Sequence, residues 1–430
     1  MQVTKKNLSE TNVELSVTTD RQELRPIKDK VLSRLGRDVK VSGFRAGKAP
    51  EAMVEKQLDP SRLQSEFLDE AINQFYVQAA QSQKLRPVAQ PEVTITKFVP
   101  FDTLEFTAVV DAVGEVALPD YKAIKVSKKV VKVTPKDVDE VIKQLLLREA
   151  EKKEVKRSAK DGDEVIIDFR GIDTKLGEPV QGADSKDFPL VLGSNAFIPG
   201  FEPELIGLKA GSDKTFDIAF PKTYSVKALQ GRKVTFTVAV KKVQAVTEPK
   251  LTDAFAAKIG PFKTLQELKA DIKQQLTKEQ EQQAERDYEN DLINKIADAT
   301  EVAIPKVLVD DQLEQLEREE RKNLTYKGQT WQEHLSAEGV SEEQHREKNR
   351  PDAEMRVKIG LALSEIADKE AIMVTPEEFE VRLQMLKGQY EDKTMQEELE
   401  KTENRRELLN RMISEKTLDK LVSYGEPRTK

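Results

Sequence analysis

Gly200-Phe201-Glu202-Pro203-Glu204-Leu205-Ile206-Gly207 is the one helix cue in the stretch 160–246. Everything around it reads as strand. Runs of β-branched and aromatic residues at 164–171, 188–193, 214–220 and 234–240 alternate with Gly, Pro and Asp turns. Short strands with turn signals and a single short helix predict a small antiparallel sheet with the helix laid on it.

Outward from this stretch the pattern changes on both sides. The N-terminal part opens with alternation at Val13, Leu15 and Val17. Then follow helical spacings at Leu24, Ile27, Val31 and Leu35, predicting a helix over 21–39. Asp59-Pro60 reads as cap and start of a longer helix whose inner face is Leu63, Phe67, Ala71, Ile72, Phe75 and Ala79. Strand patterns at 93–96 and 104–110 close an α+β domain over 1–112. Residues 113–150 read as a connector: an extended run through Ile124, Val126, Val130, Val131 and Val133, then a helix capped by Thr134-Pro135. The charged run 151–158 reads as a solvated boundary, and 151–246 as the central domain. From 247 to 430 the chain is all helical, with capping boxes at Thr264-Leu265-Gln266-Glu267 and Thr375-Pro376-Glu377-Glu378 and a last helix over 395–424. The fold class is therefore α+β and multidomain.

The totals bound the chemistry. A chain of 430 residues with 38% hydrophobic and 34% charged residues has several small cores and a wet surface. No apolar run approaches the roughly 18–20 residues that span a bilayer, and the N-terminus shows no secretory h-region. With no cysteine and two histidines, His334 and His345, there is no disulfide or thiolate chemistry and little for a histidine metal site. Both histidines are expected at the surface. No cofactor or metal is expected. The net charge of −7 and the lack of a spanning segment predict no DNA and no membrane partner.

One local segment is basic. Residues 25–50 carry eight Lys/Arg against two Asp, and end in Gly43-Phe44-Arg45-Ala46-Gly47-Lys48-Ala49-Pro50. A phosphate-binding loop is excluded by spacing: three residues separate Gly43 from Gly47 where four are needed, and Ala49 stands where a magnesium-holding hydroxyl belongs. A docking loop suits the residues better. The glycines permit a sharp turn, Phe44 supplies an anchor, and Arg45 and Lys48 supply cationic contacts.

This loop between two helices resembles the ribosome-docking signature of the trigger factor family. Ala46 departs from it, where many members carry a second basic residue. Independently, the stretch 160–246 is similar to FKBP-type peptidyl-prolyl isomerase domains. The resemblance is carried by Val191-Leu192-Gly193, Phe197-Ile198-Pro199-Gly200-Phe201-Glu202, Gly207-Leu208-Lys209-Ala210-Gly211, Phe220-Pro221 and Tyr224. It implies a pocket lined by Phe169, Phe188, Phe197, Ile198, Phe201, Tyr224 and Phe236, with Phe201 at its floor and the Ile198 N–H offered to the substrate carbonyl. For Phe216 and Phe220 a plain core role stays open as an alternative. An aromatic-Asp pair found in many such pockets is replaced by Val180-Gln181.

The resemblance further implies a cytoplasmic, ATP-independent chaperone. Through Gly43, Phe44, Arg45, Gly47 and Lys48 it would dock on the large ribosomal subunit near the nascent-chain exit. It would hold unfolded nascent polypeptides, isomerise X–Pro bonds and form a homodimer when free. The alternative is a binding-only holdase whose isomerase-like domain is catalytically idle.

Overall fold

The computed structural model describes residues 1–37, 51–174, 177–221, 224, 229–390 and 392–425. Two compact units emerge. One comprises Met1–Ser127, Glu289–Thr330 and Glu342–Lys430; the other comprises Lys128–Tyr288 and Trp331–Ser341.

In the first unit, β1 (Gln2–Asn7), β2 (Asn12–Thr19), β4 (Glu92–Val99) and β5 (Thr103–Val113) form an antiparallel sheet, with the short β3 (Arg86–Pro87) on the end of β5. Strict alternation puts Val13, Leu15 and Val17 of β2 and Leu104, Phe106 and Ala108 of β5 on one face. Helices α1 (Arg21–Leu35) and α3 (Pro60–Ser82) cover that face with Leu24, Ile27 and Phe67, all at 0–1% exposure. Asp20 caps α1 by accepting the Gln22 and Glu23 N–H groups, and Glu23 returns the favour at the Asp20 N–H. The helix runs to Leu35 with Gly36 as its C-cap, and Asp38 and Val39, the end of the expected span, lie outside the described residues. The short α2 (Glu51–Gln57) follows.

In the second unit, α4 (Pro135–Arg148) starts at the Thr134 cap. Its buried Val138 and Ile142 pack with Phe255 and Ala256 of α6 (Asp253–Ile259) and with Leu268 and Ile272 of α7 (Leu265–Ala299). The connector helix thus shares a core with segments more than 100 residues on. A second core belongs to the sheet of β6 (Glu151–Glu154), β7 (Glu164–Asp173), β8 (Pro179–Val191), β9 (Asp213–Ala219) and β10 (Lys233–Thr247), with α5 (Phe201–Leu205) on it. All pairs are antiparallel, and β10 contacts β7, β9 and β6. The charged run after 150 is a strand here, not a loop. β6 pairs with the end of β10 and keeps all four side chains exposed, the way a charged edge resists further pairing.

The remaining helices are α8 (Lys306–Tyr326), α9 (Trp331–Glu338), α10 (Glu342–Lys369), α11 (Pro376–Lys387), α12 (Lys393–Glu400) and α13 (Thr402–Gly425). The last pair corrects the single helix expected over 395–424. Lys401 is extended at ψ 142°, and the Asn404 amide donates to the Glu398 carbonyl across the break. The histidines also differ from expectation. His345 is 2% exposed, with Nε2 3.3 Å from a Glu320 carboxylate oxygen on α8, and His334 is half-buried.

One carboxylate ties three distant segments of the first unit together. Glu370, just past α10, accepts the Tyr121 hydroxyl at 2.7 Å, the Tyr424 hydroxyl at 2.7 Å, and lies 2.8 Å from Lys122 Nζ. The Lys122 cation, then the two phenols, hold the Glu370 carboxyl down at about 2. Burial, reinforced by Glu370, pushes the Tyr121 phenol up to about 12. A lowered carboxylate stabilises the fold above its ordinary pKa, and that contribution is lost as pH falls towards its folded value. The denaturation midpoints of the natural chain and of Glu370→Gln will therefore differ at neutral pH. They will converge as the pH falls from the ordinary carboxylate value towards about 2, measured by urea titration across a pH series.

Candidate functional site

The sheet of the second unit carries an aromatic cluster. Phe169 sits on β7, whose inward positions run Val165, Ile167, Phe169 and Gly171. Its ring meets Phe188 at 5.7 Å, Phe197 at 5.2 Å and Phe201 at 6.1 Å, all near edge-on, the arrangement aromatic quadrupoles favour. Phe236 of β10 lies 5.2 Å from Phe201 at 88°. Gly171 makes room for this: a Cβ there would stand 2.8 Å from Ala183 Cβ and 3.0 Å from the Phe236 ring.

Local irregularity aims the rings. β8 slips register against β7 between the pairs Ile167–Phe188 and Phe169–Ser185. At this bulge the Asp187 N–H donates to Asp168 at 2.7 Å, and Lys241 bridges both carboxylates at 2.8 Å. Lys241, then the Asp187 N–H, keeps the Asp168 carboxyl below the ordinary carboxylate range.

These elements enclose a cavity of about 370 Å³. Its walls include Phe169, Phe188, Phe197, Ile198, Tyr224 and Phe236. Six of the seven residues expected there are thus brought together. The seventh, Phe201, is fully buried behind the wall, its ring 4.0 Å from that of Phe197. It supports the lining rather than forming part of it. Phe220 is both: it is 4% exposed in the core and lines the cavity, 4.8 Å and edge-on to Tyr224. Its position at the inward end of the Phe216-Ile218-Phe220 alternation was the signal available. Phe216 stays outside the lining and packs 5.2 Å from Phe201.

The chemistry is apolar. Among the described residues no charged side chain lines the cavity. On the side where the sequence reads Val180-Gln181, Val180 is buried in the core and the wall is Gly182 and Ala183. The Ile198 N–H has no acceptor among the described residues. A space of this volume, aromatic on most sides and offering the Ile198 N–H as a donor, can hold a compact apolar ring and bind a carbonyl beside it.

The docking-loop residues Gly43, Phe44, Arg45, Gly47 and Lys48 lie outside the described residues. The basic helix before them is partly neutralised. Lys28 pairs with Glu55 and Lys30 with Glu70, both at 2.6 Å, and Arg34 pairs with Glu66 at 2.7 Å. In the C-terminal helices the apolar surface is open: Val381 and Met385 of α11 are 56% and 62% exposed, and Met373 is 76% exposed.

Comparison with known proteins bears on every part of the chain. Residues 1–145 match the family model of the bacterial trigger factor protein, 264–423 that of the trigger factor C-terminus, and 155–241 that of the FKBP-type peptidyl-prolyl cis–trans isomerase. A trigger factor of Carboxydothermus hydrogenoformans is 33% identical over 99% of this chain and 100% of its own length. One of Halothermothrix orenii is 32% identical over 92% of each chain. A solved structure of a trigger factor chaperone covers 99% of this chain and 100% of its own, at 22% identity and a TM-score of 0.46.

Proposed function

We propose the following division of labour for this chain, which belongs to the trigger factor family. Like its family it is a cytoplasmic, ribosome-associated chaperone with peptidyl-prolyl cis–trans isomerase activity, and it binds the ribosome and nascent chains. The assignment of these tasks to residues is our reading.

The isomerase site is the aromatic cavity, worked by Phe169, Phe188, Phe197, Ile198, Tyr224 and Phe236, with Phe201 behind them. The observation that carries this is a lining with no charged side chain, beside an Ile198 N–H with no acceptor, both among the described residues. Rotation about X–Pro is opposed by amide resonance with a barrier of about 18–20 kcal/mol. The twisted state is less polar than the planar one, so an apolar, water-poor site favours it without any nucleophile or acid. The Ile198 N–H holds the carbonyl on the substrate side of the bond while the proline ring turns among the aromatics. A second reading, an idle domain that only binds, is favoured by the missing carboxylate at Val180-Gln181. A protease-coupled assay on a proline tetrapeptide separates the two. Turnover by the natural chain that falls at least about tenfold in Phe197→Ala supports the enzyme site. No turnover at all supports the holdase.

The domain boundaries we propose are 1–112 for ribosome binding, 113–150 for the connector, 151–246 for the isomerase and 247–430 for chaperone contacts. The open Val381 and Met385 surface supports the last. Docking near the nascent-chain exit falls to Gly43, Phe44, Arg45, Gly47 and Lys48. Because Lys28, Lys30 and Arg34 are already paired, the loop must supply much of its own charge. Phe44→Ala with Arg45→Ala will abolish co-sedimentation with ribosomes and leave tetrapeptide isomerisation intact. Ribosome binding of the natural chain will weaken as salt rises. Binding that survives the double substitution defeats the loop assignment.

Free in solution, the chain forms a homodimer. Its β1 and β4 edges, with Val93 and Ile95 at 36% and 42% exposure, support self-association. Sedimentation velocity across a concentration series will show a monomer–dimer equilibrium; a single monomeric boundary throughout rules it out.

A further inference from the structure

The cavity wall that carries Phe197, Ile198 and Pro199 is a loop, 193–200, between β8 and α5. Its first half has little apolar anchorage: Gly193, Ser194, Asn195 and Ala196 are all exposed. Its backbone is also unusual, with φ of 89° at Gly193, 56° at Asn195 and 94° at Gly200. A loop of this kind wanders unless something fixes it.

One buried carboxylate does so. Glu202 is 5% exposed. Its Oε2 accepts the Gly193 N–H at 2.8 Å and the Asn195 N–H at 3.1 Å. Its Oε1 accepts the Phe197 N–H at 3.2 Å and the Ser194 hydroxyl at 3.4 Å. Among the described residues no Lys, Arg or His pairs with it, and its carboxylate is met by three backbone N–H groups and one hydroxyl. Burying a carboxylate without a cation is costly unless its lone pairs are filled, and here four donors fill them.

The placement matters for the Ile198 N–H. The Phe197 N–H bond to Glu202 fixes the peptide plane on one side of Phe197. The peptide plane on the other side carries the Ile198 N–H. Beyond it, the Ile198 carbonyl accepts the Phe201 N–H at 3.0 Å. The donor is bracketed, and Glu202 holds the bracket that no secondary structure supplies. We propose that Glu202 is a positioning residue of the isomerase, aiming the Ile198 N–H and the Phe197 ring while touching no substrate. This rests on the cavity being the isomerase site.

The variants follow from the chemistry. A Gln side chain has one acceptor oxygen, and its amide would face N–H donors, so two of the four bonds are lost. An Asp keeps the charge but is one methylene too short to reach both ends of the loop. In the full chain, Glu202→Gln will lower kcat on a proline tetrapeptide at least about tenfold, with KM changed less than about threefold, because the apolar walls still bind. Amide hydrogen exchange will speed up at Gly193 and Asn195 together, or at Phe197, whichever end of the loop loses its acceptor oxygen, with circular dichroism confirming a folded chain. Unchanged kcat in the folded variant, or a rise in KM alone, overturns the proposal and leaves the site reading standing. Absence of turnover in the natural chain defeats the site reading, and this proposal with it. Should Glu202→Gln not fold, Glu202→Asp is read in its place, with a smaller loss in kcat expected. Failure of both to fold makes Glu202 a folding residue and overturns the positioning role.

Discussion

The ring of Phe201 is the point on which the isomerase unit depends. It is fully buried, lies 4.0 Å from Phe197, and meets Phe216 and Phe236 edge-on, each at 5.2 Å. Through those contacts it joins the loop to two strands. Helix α5 has only five residues, too few to be stable alone. It persists because Phe201 and Leu205, both at 0% exposure, are locked into the sheet. The cavity is thus a by-product of packing: the rings that pave it are held from behind by a ring that is not part of its lining. The cavity lining and the core share the same side chains, which is why a cavity with no charged side chain among the described residues can still have a defined shape.

Alternation made most of this legible. The inward residues of β2, β5, β7 and β10 can be counted off the chain, because a half-buried strand has no other way to place its apolar side chains. The seven pocket residues were expected from the family resemblance, not from alternation, since Phe197, Ile198 and Tyr224 lie outside strands; six of them line the cavity. What escaped depends on tertiary context. Glu154 and its neighbours look solvated and are, but nothing local says that β10 runs on to pair with them. His345 carries no sign of burial until α8 is laid over it. The break at Lys401 has no proline or glycine to announce it. Glu202 reads as an ordinary first-turn acid of a helix, and only the path of the 193–197 loop turns it into an acceptor for four donors.

Charge is divided in a way that net totals hide. Residues 25–50 are strongly cationic by count, yet three of their cations are paired with Glu55, Glu66 and Glu70. Exposed pairs of this kind add at most about 1 kcal/mol to stability. Their larger effect is to shorten the reach of the field from α1. A positive surface built this way attracts at contact range, close to the loop, rather than steering from afar.

The first unit draws on both ends of the chain, and Glu370 shows what that entails. Its partners Tyr121 and Lys122 are made early, while Tyr424 comes in the last helix. During synthesis the N-terminal sheet and the isomerase sheet have all their own strands long before that contact can exist. From the completion of β10 at Thr247 until Tyr424 is made, the chain therefore carries two finished sheets and lacks this closure. The long loop between Tyr121 and Tyr424 must be shut at the end, which is entropically slow. A protein that waits on nascent chains has itself to wait for its final helix before it is whole.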